Sequence, residues 1–226
     1  MTPLYVYAIV DGIQNASLGS GLAGEPLALV AAGDVVAVVG EMGDPRGPTP
    51  DALRGHDAVV RRLAGLSEAI LPVRFGTIQD APALAEWLAG AAEGLGEALR
   101  LVAGREQMTL HVFHDAAPGP EATEESIDAR GLGPGARYLA ERQRHWRHTE
   151  HLPELEPLRP RLDALVTAER VELRATPPLR ASVYHLIERG RSAEYRDAVE
   201  ANLDLVAGVR LRVSGPWAPY AFAPVA

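Results

Sequence analysis

Ile70-Leu71-Pro72-Val73-Arg74-Phe75-Gly76-Thr77-Ile78 is the stretch on which the reading of this 226-residue chain turns. Its apolar residues alternate, so an extended backbone sets Leu71, Val73 and Phe75 on one side and Arg74 on the other. Pro72 has no N–H to give to a ladder, which puts the segment at a sheet edge or a bulge. Just upstream, Thr49-Pro50-Asp51 combines a hydroxyl cap, a proline at the first helical position and an acid in the first turn. A helix is expected from there to about Ser67, with Leu53, Val60, Leu63 and Ala64 on its apolar face and His56 among them. Just downstream, Asp80 caps a second helix that carries Leu84, Trp87, Leu88, Ala91, Leu95, Leu99 and Val102 at helical spacing.

Working outward, Leu4–Val10 (LYVYAIV) is a short run of β-formers ending at Asp11-Gly12, and 26–32 and 34–40 form a hairpin around Gly33-Asp34. Gln107–His114 closes the half as a strand. The order β-β-β-α-β-α-β implies a first α+β domain over residues 1–115, two helices covering one face of a mainly antiparallel sheet. Residues 116–134 are rich in proline, glycine and acids and read as a linker. The second domain, 135–226, opens with helices over 137–152 and 158–168, whose short connection predicts a helical hairpin. Strands over 170–175 and 181–187, a helix capped by Ser192 and carrying Tyr195, Val199, Leu203 and Val206, and a strand over 209–213 complete an α-α-β-β-α-β order. The fold class is α+β: two domains, each a small, mainly antiparallel sheet packed with helices.

Composition narrows the chemistry. There is no cysteine, hence no disulfide, thiolate nucleophile or cysteine-ligated zinc, and all 22 basic residues are arginine. Schiff-base lysines and the phosphate-loop lysine are therefore excluded. The net charge of −8 divides into −6 over residues 1–114, −4 over 115–132 and +2 over 133–226. A nucleic-acid binder needs a strong basic patch, and that distribution lacks one. No window offers about 20 uninterrupted apolar residues for a membrane span, and the N-terminus lacks the basic flank of a secretory signal. A cytoplasmic protein, bound neither to membrane nor to nucleic acid, is expected.

Four constellations could carry function. Arg74 could anchor a partner's carboxylate through bidentate bonds, or meet an acid or a carbonyl within the fold. His56 could be a base, but no nucleophile or orienting acid accompanies it, and a hydrogen-bonded core histidine is the expectation. His145, His148 and His151 lie at i, i+3 steps that spread them around a helix, among Arg142, Arg144 and Arg147, so no metal site is expected. The tail Gly215-Pro216-Trp217-Ala218-Pro219-Tyr220-Ala221-Phe222 holds three rings on a proline-stiffened backbone. It either displays a contact surface or folds back to close a core. Serine-hydrolase elbows, dinucleotide fingerprints, phosphate loops and zinc-protease motifs are all missing, so neither an enzyme nor a cofactor is expected. The candidate protein-contact residues are Arg74, Phe75, Trp217, Tyr220 and Phe222.

Several of these blocks, in this order, resemble the gas vesicle F/L family: Leu4–Val10 its opening strand, Ile70–Ile78 its central signature, and Gly135-Ala136-Arg137-Tyr138-Leu139 its helix start. Ser182-Val183-Tyr184-His185-Leu186-Ile187 is similar to its penultimate strand and Ser214–Phe222 to its closing motif. Ala218 departs from the second consecutive proline common there, and His185 stands where an apolar residue is expected. The resemblance implies two α+β domains with ferredoxin-like elements and an accessory or minor structural role in gas vesicle assembly. It implies the hydrophobic shell protein and other accessory proteins as partners during nucleation and growth. The alternative is a ferredoxin-like enzyme or small-molecule binder with a polar cleft around Arg74 and His56.

Overall fold

Every side chain of strand β1 (Leu4–Val10) is buried. The computed structural model describes residues 3–13, 17–42, 47–114, 152–174 and 177–224. In the first sheet β1 lies between β3 (Val35–Glu41) and an interrupted edge formed by β4 (Ile70–Pro72) and β5 (Ile78–Gln79), with β2 (Leu27–Ala32) outside β3. All these pairings are antiparallel. Gly33, at φ +63°, makes the β2–β3 turn that the sequence predicts.

A strand buried on both faces needs cover on both. Tyr5, Tyr7, Val10 and Val38 pack with Val59, Val60 and Leu63 of α1 (Pro50–Ala64). The alternate residues Val6, Ile9, Ala37, Val39 and Leu71 point the other way and are equally buried. Helix α2 (Ala81–Val102), which touches β2, β3 and β4 and buries Leu84, Leu88, Leu95 and Leu99, covers that second face. The expectation of two helices on one face is thus corrected. The unbroken apolar run of β1 is itself the mark of two-sided burial. Each leucine or valine so buried contributes about 1.5–3 kcal/mol.

Both helix starts match the sequence reading. Thr49 Oγ1 accepts from the Ala52 N–H at 3.2 Å, and Asp80 Oδ1 accepts from the Ala83 N–H at 2.8 Å. Leu53, however, is 45% exposed, and Ala52, His56 and Val59 take the inward positions instead.

The second sheet has the order β7-β8-β6-β9, from β6 (Arg105–His114), β7 (Val166–Leu173), β8 (Leu179–Glu188) and β9 (Val209–Trp217), with β7 and β8 antiparallel. Met108, Leu110, Val112, Val183 and Ile187 pack against Leu158 and Leu162 of the short helix α3 (Arg159–Leu162) and its flank, and against Tyr195 and Val199 of α4 (Ser192–Glu200). Four local readings shift. β6 does not close the first half; it is an interior strand of the second sheet. The helix expected over 158–168 stops at Leu162, and the β-branched pair Val166-Thr167 starts a strand instead. Ser192 does not cap; it is the first helical residue, and Arg191 before it binds Glu194. The final helix ends at Glu200, short of Leu203 and Val206.

The chain divides into two compact units. The first holds Met1–Gln107, Glu188–Gly190 and Pro216–Ala226, and the second holds Met108–Ile187 and Arg191–Gly215. The boundaries read from sequence, 115 and 135, differ because the strand after α2 and the last residues of the chain each belong to the unit remote in sequence. The linker over 116–134, the first arm of the expected hairpin, the block 135–139 and His145, His148 and His151 lie outside the described residues.

Candidate protein-contact surface

The signature segment leaves the ladder where its proline says it must. Val73 N–H donates to the Tyr7 carbonyl at 3.0 Å and Val6 N–H to the Thr77 carbonyl at 3.0 Å. Between these two bonds residues 74–76 loop outward. The loop closes on the Arg74 carbonyl, which accepts from Thr77 N–H (3.2 Å) and Thr77 Oγ1–H (2.9 Å). Gly76 turns it at φ +86°, a conformation open to glycine at little cost. The alternation expected through Phe75 therefore breaks at Pro72. Arg74 is exposed and finds no ion-pair partner among the described residues, while Phe75 is half-buried.

Beneath the loop lies a closed ring cluster. Phe75 stands edge-on to Tyr5 (centroids 6.1 Å) and His56 (5.8 Å), and Tyr7 stacks on His56 at 5.6 Å. His56 Nε2 sits 3.1 Å from the Val73 carbonyl, which can only accept, so this nitrogen carries the proton. Nδ1 then accepts from Tyr5 O–H at 3.0 Å, and the same phenol oxygen accepts from Gly76 N–H at 3.0 Å. The histidine thus fastens the signature loop to β1. Its exposure is 3%, and burial drives its pKa below the ordinary 6.5 against the opposing bond from Val73. The ring is neutral in the folded state, so stability is full above pH 6.5 and falls as the unfolded chain takes up a proton below it. His56→Gln is expected to flatten this acid limb, measured by denaturant unfolding at pH 7 and pH 5.

Tyr7 anchors a second loop. Its hydroxyl donates to Glu25 Oε1 and accepts from Leu22 N–H at 2.8 Å, while Glu25 Oε2 takes the Ala23 N–H at 2.8 Å. Glycines at 21 and 40 make room: a Cβ on either would lie 1.9 or 2.7 Å from Glu25 side-chain atoms. Burial and the Glu25 carboxylate together raise the Tyr7 pKa, so the phenol keeps its proton.

The tail closes this same core. Phe222 is 1% exposed, Ala218 joins the α1-side cluster, and Tyr220 packs against it. Gln107 Oε1 accepts from Ala221 N–H at 2.8 Å and pins the tail. Burial, followed by the charge of Asp57, raises the Tyr220 pKa. Trp217 is half-buried under the Arg61 guanidinium, 4.9 Å from the ring centroid, and Arg61 is held by Asp57 at 2.8 Å. Of the five residues chosen from sequence, Arg74, Phe75, Trp217 and Tyr220 reach the surface of the first unit. Phe222 is an interior residue and is withdrawn as a contact, because its ring is enclosed. Arg74 and His56 do not face a common cleft, because His56 is enclosed with both nitrogens engaged and Arg74 points to solvent.

Sequence reasoning missed a buried polar chain in the second unit. His185 Nδ1 lies 2.6 Å from Tyr195 Oη, His185 Nε2 lies 2.9 Å from Glu169 Oε2, and Glu169 Oε1 meets Arg159 at 2.8 Å. Burial alone would raise the Glu169 pKa, but the bonds and charges of His185 and Arg159 bring it below 4.5. Inward alternation of Ala181, Val183, His185 and Ile187 was the available signal, since a histidine on a core face needs partners. Among the described residues no three potential metal ligands cluster, and no helix is long and apolar enough to cross a membrane.

The chain belongs to the GvpL/GvpF family of gas vesicle synthesis proteins, whose model matches residues 3–224. It is 29% identical to gas vesicle protein L of a Streptomyces species, over 98% of this chain and 93% of that one. It is 26% identical to gas vesicle protein L1 of Halobacterium salinarum, over 97% and 90%. The fold is shared with crystal structures of GvpF from Microcystis aeruginosa (TM-score 0.72, 17% identity, all of both chains) and from Anabaena (0.71, 16%, covering 100% and 98%). Membership gives the chain a general accessory role in gas vesicle formation.

Proposed function

We propose that this protein is a non-catalytic assembly factor that binds the hydrophobic shell protein, and other accessory proteins, while the vesicle nucleates and grows in the cytoplasm. A subunit whose apolar face will line a gas space aggregates in water unless another surface shields it first. The observation that supports this reading is the signature loop of the first unit. Arg74 stands exposed at its tip, Phe75 is half-buried at its base, Tyr220 packs against the same core, and Trp217 lies under Arg61 of α1. An arginine beside aromatic rings is the composition of a binding hot spot.

Capture of purified shell protein by the immobilised full chain tests the proposal. The wild type is expected to retain it, and Arg74→Ala combined with Trp217→Ala to retain about tenfold less, the loss typical of truncated anchor residues. Equal capture by the double variant would remove these residues from the contact, and no capture by the wild type would overturn the proposal.

A further inference from the structure

Edge strands offer unpaired N–H and C=O groups to any extended chain, and proteins blunt them with charge, proline or a bulge. Three of the four sheet edges among the described residues are blunted in this way. The β4/β5 edge is broken by Pro72 and the outward loop carrying Arg74. β7 carries Glu169, Arg170 and Glu172, and β9 carries Arg210, Arg212 and Pro216. Within Leu27–Ala32 β2 has no such protection; only at its start does the preceding Pro26 make an isolated bridge with Ser20. The strand reads Leu-Ala-Leu-Val-Ala-Ala, pairs with β3 over all six residues on one side, and meets no described strand on the other. Ala28, Leu29 and Ala31 are exposed, Leu29 to 45%. Leu29 shares the face of its partner Val38, which is the face that α1 covers farther along the sheet.

We infer that the outer edge of β2 is a strand-pairing site for an extended, uncharged, apolar segment of the shell protein, an inference that rests on the assembly reading above. The occupant follows from the chemistry of the edge. Open backbone groups along six residues call for another β-strand, and a border without a single charge disfavours a charged one, which would lose hydration and gain no counter-charge. The run is long enough to hold a segment of about six residues, the usual length of a strand.

Three measurements on the full chain test this: capture of purified shell protein, amide hydrogen exchange, and the solution mass of the free protein. Leu29→Lys with Ala31→Lys places charge on two exposed side chains, which the folded protein tolerates and an incoming strand does not. Unchanged thermal unfolding of the variant establishes that its fold is intact, and if it unfolds early the single Leu29→Lys variant replaces it. Capture is expected to fall about tenfold, as when a few intermolecular hydrogen bonds are lost. Amides within 27–32 of the wild type are expected to gain protection when shell protein is bound. Undiminished capture, or unchanged exchange over 27–32, overturns the inference. So does a wild-type dimer dispersed by Leu29→Lys, which would make a second copy of this chain the occupant. If the lysine variant captures normally while Arg74→Ala with Trp217→Ala does not, the edge inference fails and the assembly reading stands. If the wild type captures nothing, both fail.

Discussion

Phe222→Ala is expected to destabilise the protein by about 3–5 kcal/mol, the usual range for removing a buried phenylalanine. The ring is among the largest fully buried side chains of the described residues. Pro219 and the Gln107–Ala221 hydrogen bond hold it there, so the surrounding backbone cannot easily collapse into the space it leaves. Denaturant midpoints compare the variant with the wild type. A change under about 1 kcal/mol would mean that the tail is not part of the first core and would return Phe222 to the set of contact residues. Trp217→Ala should cost less, since that ring is only half-buried and its cover is an arginine whose charge stays in water.

His185→Leu is the second large effect, with an expected cost of about 3 kcal/mol although leucine is the more apolar residue. The leucine would fit the core face of β8 but would leave Tyr195 Oη and Glu169 Oε2 without the partner each now has. The pH dependence separates this loss from simple misfit. In the wild type the Glu169 pKa lies below 4.5, so its stabilising contribution is complete above that value and is lost as pH falls from 4.5 towards the folded value. Without His185 the depression shrinks, burial counts for more, and less stability is lost on acidification. Unfolding followed from pH 7 to pH 3 should show the two curves converging at the acid end. Parallel curves would mean that the histidine–glutamate bond contributes nothing.

Much of the first sheet was legible because its signals are local. Thr49-Pro50-Asp51 and Asp80 mark helix starts through bonds spanning three residues, and Gly33 marks a turn through its own backbone. The enclosed state of His56 was readable too, since no catalytic companion stood near it in sequence. What failed is non-local. β6 follows α2 directly, so sequence order assigned it to the first half, whereas its sheet neighbours β8 and β9 lie more than sixty residues away. Phe222 and Tyr220 announce that they need burial and not which core will receive them. The Tyr195–His185–Glu169 chain joins a helix and two strands, and from sequence alone His185 appears as a departure from family preference. Arg74 was left between an internal and an external role, and only the outward loop decides that it faces solvent.

The path of the backbone between the two units has an evolutionary consequence. The first unit is finished by residues 188–190 and by the last eleven of the chain, and the second begins within β6. A recombination breakpoint in the acidic stretch after His114, which composition alone would recommend, transplants neither unit whole. One product inherits an orphan strand, and the other inherits aromatic rings without the core they were selected to fill. Such a chain can diversify by substitution and by lengthening its loops, but its halves cannot be traded between lineages like beads on a string.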